Sequence, residues 1–152
     1  IDCVVTDHAP HTLKAKSAGF PGAPAGMPGV ETSLPVMLTH AVEGKCSVTD
    51  VVSWMCAGPA KVYGIEKKGS IIEGYDADLT LVDLETHRII SDEDTWTKVR
   101  WTPYAGRDLT GWPIYTIVDG EIVHRREVGG SLKGISVAEP GSTGRVLKFN
   151  RF

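Results

Sequence analysis

The sequence predicts an α/β segment followed by a small β unit, and three observations carry that reading. Ile1-Asp2-Cys3-Val4-Val5-Thr6 is β-branched, nearly continuous in apolar character and stops at a polar cluster, which is the pattern of a strand buried on both faces. Residues 31–42 place Leu34, Met37, Leu38 and Ala41 at i, i+3, i+4 and i+7, one face of a helix. Beyond residue 68 the period changes to two, and apolar runs flank Asp119-Gly120, a dipeptide suited to a two-residue hairpin turn.

Along the chain, residues 1–6 are the expected strand, with Asp7 at its carboxyl end. In parallel α/β architectures that end faces the mouth where chemistry is placed. Residues 12–30 are expected to be loop, because the stretch GFPGAPAGMPG holds four Gly and three Pro in eleven residues, which no helix or central strand tolerates. Pro35 is acceptable only in a first turn, so the helix begins near Thr32, and Gly44 ends it. Ser47 or Thr49 can cap a second helix running through Val51, Val52, Trp54, Met55 and Cys56. Gly58-Pro59 is expected to break it, with one more turn over residues 60–63 closed by Gly64. Residues 70–72 and 77–83 are expected strands around the turn Glu73-Gly74-Tyr75-Asp76, and residues 114–118 and 121–124 form the hairpin. Residues 129–145 carry five Gly and are read as a loose tail, with RVLKF docking as a last short strand. The resulting division is 1–64, 65–128 and 129–152. A single strand and helix cannot bury their own faces, so the first third is expected to be the end of a larger α/β fold. Residue 1 being Ile rather than Met agrees with that.

The chain of 152 residues is 41% hydrophobic and 23% charged, enough to bury a core. A net charge of −3 offers no electrostatic case for nucleic acid or an anionic membrane. No apolar run approaches a membrane helix, and no charged-then-apolar leader is present. Cys3, Cys46 and Cys56 are odd in number and never in CxxC spacing. They read as reduced, mostly buried thiols of a cytoplasmic protein.

Asp7 and His11 share a turn held by Pro10. Taken alone, Asp-x-x-x-His is weak evidence for a metal site, and a plain capping or turn role stays open. His8 reads as a structural residue or a support for a ligand rather than a ligand itself. Lys16 reads as a loop anchor or salt-bridge partner. Glu31 opening a helix has a sufficient reason in the helix dipole. Asp76 and Asp78 read as turn residues rather than a calcium site. Trp54, Trp96, Trp101 and Trp112 read as core or interface fillers.

Five segments then become specific together: TDHAPHTLKAK, MPGVETSLPVMLT, GPAKVYGI, KGSIIEGYDADLTLVD and TPYAGRDLTGWPIYTIVDGEIV, in this order over residues 6–123. They resemble the carboxyl-terminal part of the dihydroorotase family of cyclic amidohydrolases. Asp7, Ala9, Pro10, His11 and Lys16 match the family pattern Asp-x-Ala-Pro-His followed five residues later by Lys. Val5 departs from it, since the family usually has Ala or Gly there.

The resemblance implies the last strand and helix of a (β/α)8 amidohydrolase barrel, followed by part of a small β-sandwich domain. It implies one or two zinc ions at the barrel mouth and reversible hydrolysis of the cyclic amide of dihydroorotate to N-carbamoyl-L-aspartate in pyrimidine synthesis. Asp7 would be the last metal ligand and the proton shuttle, and His11 a donor to the substrate carboxylate. Backbone at Ala25 and Gly26 would contact that carboxylate. The family's His-x-His, carboxylated Lys and two further His ligands have no counterpart in the pattern here. An isolated chain is therefore expected to be inactive. The partners implied are the small-molecule substrate, the N-terminal barrel portion, and either further copies of the chain or another pyrimidine-pathway enzyme. Two alternatives remain: a hydantoinase or dihydropyrimidinase type of cyclic amidohydrolase, and a non-catalytic dihydroorotase-like subunit binding a partner enzyme. A substrate without a carboxylate gives His11 no role, and loss of Asp7 and His11 would favour the non-catalytic reading.

Overall fold

The computed structural model describes residues 1–126, 135–136 and 146–150. Among these residues the elements are four short α-helices, α1 Leu13–Lys16, α2 Ser33–Val42, α3 Val48–Val52 and α4 Gly58–Val62, with a π turn Ser53–Ala57 before α4, then strands β1 Leu79–Ile89, β2 Asp108–Val118, β3 Glu121–Arg125 and β4 Ile135–Ser136, with a 3-10 turn Asp92–Asp94 between β1 and β2. The strands form one antiparallel sheet in the order β1-β2-β3-β4.

Helix α2 starts where Pro35 requires, with Thr32 at its N-cap, and buries Pro35 and Leu38. That buried face lies on β2. The Thr39 hydroxyl takes the Thr110 amide N–H at 2.8 Å, and its own proton has the Pro35 and Thr110 carbonyls within reach at 2.7 and 3.2 Å. A threonine inside a helix thus satisfies sheet backbone. The core beside it is Ile90, Leu109 and Trp112, with Val36 and Tyr104 packed against them.

The Ser47 cap is observed as a reciprocal pair. The Ser47 hydroxyl accepts from the Asp50 amide, and the Asp50 carboxylate accepts from the Ser47 amide, a capping box with Asp in place of Glu. Gly58-Pro59 does not break the helical run as expected. A π turn over Ser53–Ala57 leads straight into α4, and Pro59 falls in the first turn of that helix, where its missing N–H costs nothing. The turn also lets residues 1–6 approach. Val4 N–H donates to the Trp54 carbonyl at 2.9 Å, and a Cβ on Gly58 would collide with the Asp2 carbonyl oxygen.

Three other expectations are corrected. Residues 1–6 join no ladder among the described residues, and Ile1 and Val5 are exposed. A parallel strand exists only through hydrogen bonds to neighbouring strands, and the described residues supply none. The stretch 12–30 is not all loop, because Thr12 caps the single turn α1 through the Ala15 amide. Residues 70–72 form no strand, and β1 instead runs far beyond residue 83. Asp83 allows this by accepting the Glu85 and Thr86 amides at an irregularity in the β1–β2 register. Pro113 sits at a second irregularity, opposite Val82, which is where a strand tolerates proline.

The hairpin turn is as expected. Asp119 and Gly120 have φ of 53° and 84°, both positive as the type I′ turn demands. Of the expected tail, only residues 135–136 and 146–150 lie within the described part. Phe149 pairs with Ile65 in a single antiparallel bridge, so the end of RVLKF does dock. The described residues show one sheet and no second layer of a sandwich. The three cysteines are free, but Cys3 and Cys46 are half-buried and Cys56 is exposed, so they are less buried than expected. No described helix is long and apolar enough to cross a membrane.

Candidate functional site

The Asp7–His11 turn and the 24–30 loop are held together by backbone. His8 pairs in parallel register with Met27, and Ala9 N–H donates to the Met27 carbonyl at 3.2 Å. Asp7, at the head of the turn, has φ 43°, a left-handed conformation that Asp tolerates better than most residues. Asp7 is exposed, and His11, four residues on, is half-buried.

Gly26 lies against the same turn. Its φ is 106°, and a Cβ there would meet the Ala9 Cβ at 2.6 Å and the Ala9 carbonyl oxygen at 2.7 Å. Only glycine fits so close an approach. Ala25, beside it, is exposed. Lys16 anchors the loop as expected, donating to the Pro24 and Gly26 carbonyls at 2.8 and 3.1 Å. The site residues Asp7, His11, Ala25 and Gly26 therefore lie on two segments fixed to each other.

His8 closes the arrangement from the other side. Its Nδ1 accepts from the Gly29 amide at 3.1 Å and the Val30 amide at 3.3 Å. A nitrogen that accepts cannot carry the ring proton, so the proton sits on Nε2.

Two connections to the segment after β1 have no local signal in the sequence. The Trp101 indole N–H donates to the His11 carbonyl at 2.7 Å, so this tryptophan holds the turn rather than merely filling space. The Glu31 carboxylate accepts the Trp96 and Thr97 amides, both at 2.7 Å. Its role therefore exceeds the dipole interaction expected of it. The Asp92 carboxylate takes the Thr102 amide at 2.8 Å and steadies the same segment. These partners are separated by up to 90 residues, too far for any short motif to announce them. Asp76 and Asp78 both pair with Lys68, which accounts for them as structural residues.

Among the described residues no cluster of three or more His, Cys, Asp or Glu side chains is gathered as a metal requires. Asp7 is an exposed oxygen donor and fits as one ligand. A zinc ion takes about four, so the described residues do not complete a centre.

The amidohydrolase family model matches residues 2–123. The dihydroorotase of Pyrococcus furiosus is 38% identical over 148 residues, covering 97% of this chain and 34% of that protein. The dihydroorotase of Halobacterium salinarum is 42% identical over 139 residues, covering 91% and 33%. Among solved structures, the L-hydantoinase (dihydropyrimidinase) of Arthrobacter aurescens superposes with a TM-score of 0.81 at 34% identity, over 91% of this chain and 30% of that one. The dihydropyrimidinase of Brevibacillus agri gives 0.78 at 28%, over 91% and 33%. The chain thus spans about a third of the length of the relatives it matches.

Proposed function

The chain belongs to the amidohydrolase family, and from that premise we propose that it is the carboxyl-terminal part of a zinc-dependent dihydroorotase, which opens the cyclic amide of dihydroorotate reversibly to N-carbamoyl-L-aspartate. The observation that carries this reading is the Asp7–His11 turn docked on the Gly26 loop. It presents a carboxylate and an imidazole four residues apart, beside the exposed Ala25. The dihydroorotase relatives at about 40% identity support the same choice.

Zinc, when bound, supplies a Lewis acid that polarises the scissile carbonyl and makes water more acidic. Asp7 would contribute one ligand, with the rest of the set and the remainder of the barrel supplied by the portion of the protein beyond these residues. The exposed Asp7 carboxylate takes the proton of the attacking water and returns it to the departing ring nitrogen. His11 donates a hydrogen bond to the substrate carboxylate, which fixes the ring relative to Asp7. Backbone at the exposed Ala25 and at Gly26 completes the grip on that carboxylate.

The second reading is a hydantoinase or dihydropyrimidinase activity, favoured by the solved structures that superpose on this chain. The two readings differ at His11. In full-length protein, His11→Ala is expected to raise KM for dihydroorotate by about 10- to 100-fold, the loss of a charge-assisted hydrogen bond, and to leave dihydrouracil no better a substrate. Robust turnover of dihydrouracil or hydantoin with none of dihydroorotate would reject the dihydroorotase reading.

A further inference from the structure

Resting on that reading, we propose that His8 is a positioning residue. It holds the substrate loop in register with Asp7 through its unprotonated Nδ1. Three observations meet here. Nδ1 is the acceptor for two successive amides, Gly29 and Val30. His8 lies next to Asp7 in sequence and pairs with Met27 in parallel register. Gly29 is buried, so its amide has no easy recourse to water.

Two converging N–H groups make one imidazole nitrogen the pin between the turn and the loop. Without the pin, a buried donor is left unsatisfied. The parallel His8–Met27 bridge is then the backbone contact left between the turn and the 26–30 stretch, and its Ala9–Met27 hydrogen bond lies at the margin of good geometry at 3.2 Å. On its inner side His8 shares with Pro28, Thr32, Thr95 and Trp101 a space of about 10 Å³, room for about one water and for no side chain. Because the loop carries the Ala25–Gly26 contact to substrate, loosening it shifts that contact relative to Asp7 and weakens substrate binding before it weakens chemistry.

The test uses full-length protein with two variants. His8→Asn places a side-chain oxygen near the position of Nδ1 and keeps an acceptor. His8→Phe keeps the ring shape and removes the acceptor. Amide hydrogen exchange at Gly29 and Val30 is read together with KM and kcat for dihydroorotate and the thermal midpoint. In His8→Phe, exchange at Gly29 is expected to quicken by about tenfold or more and KM to rise by a similar factor, with kcat changed by less than about threefold. His8→Asn is expected to recover most of both. Unchanged exchange in His8→Phe overturns the proposal. So does quickened exchange throughout the chain with a fallen midpoint and equal loss in both kinetic constants, which marks a merely structural residue. If the unsubstituted protein fails to turn over dihydroorotate, the functional reading fails, and the exchange arm alone decides whether His8 holds the loop.

Discussion

At the scale of single residues, the candidate site depends on small groups in unusual backbone. Gly26 combines a positive φ with a position at which any Cβ would fall inside contact distance of Ala9. Gly26→Ala is therefore expected to cost about 1–3 kcal/mol of stability and to raise KM, since the loop must move away from the turn that carries Asp7. Thermal unfolding and initial-rate kinetics on the same sample check both. Asp7 itself has φ 43°, which Asn adopts as readily as Asp. An Asn substitution there changes the chemistry of the group without disturbing the backbone that presents it. Asp7 and His11 stand out in the sequence only through the family resemblance, since Asp-x-x-x-His alone is weak evidence. The Trp101–His11 and Glu31–Trp96 hydrogen bonds do not stand out, because they join residues 90 and 65 positions apart and tryptophan and glutamate have many other uses.

At the scale of elements, the helices behave as local chemistry dictates. The start of α2 follows from Pro35, and the start of α3 from Ser47. In the α3 cap, hydrogen bonds from the Ser47 hydroxyl and then its amide hold the Asp50 carboxyl below its ordinary value. A carboxyl depressed in the folded state adds stability above its unfolded value and loses that contribution as pH falls through the lowered folded value. Asp50→Asn is accordingly expected to flatten the acid side of the stability profile, as read from urea midpoints against pH. Gly58 ties the helices to the site. A Cβ at this position would collide with the Asp2 carbonyl oxygen, so Gly58→Ala must push residues 1–6 off the π turn. The expected cost is about 1–3 kcal/mol, accompanied by a fall in kcat because Asp7 terminates that segment. A fall in stability with unchanged kcat would separate residues 1–6 from the presentation of Asp7. The strands are less legible than the helices. The Asp-Gly turn is a local signal and stands where the sequence puts it. The length of β1 depends on Asp83 absorbing an irregularity against β2, and residues 1–6 depend on neighbouring strands, so neither can be judged from its own composition.

At the scale of the whole molecule, family membership and partial coverage have to be held together. The chain matches the amidohydrolase family over residues 2–123 and spans about a third of its relatives' length. It leaves Ile1, Val5, Ile71 and Ile72 exposed, at 86, 63, 87 and 57% of their surface, which is a large amount of apolar surface on short segments. It also offers Asp7 as one donor where a zinc site takes about four. Both features agree with a site and a core shared with further polypeptide, and the account expects no turnover from the 152 residues alone. The most direct test of the central claim, that Asp7 is the proton-carrying carboxylate of a dihydroorotase site, is the rate of dihydroorotate hydrolysis by zinc-loaded full-length protein and its Asp7→Asn variant. The account expects turnover in the first and a kcat lower by about 10²- to 10⁴-fold in the second, with thermal stability retained. An Asp7→Asn protein that hydrolyses dihydroorotate at the unsubstituted rate would contradict it.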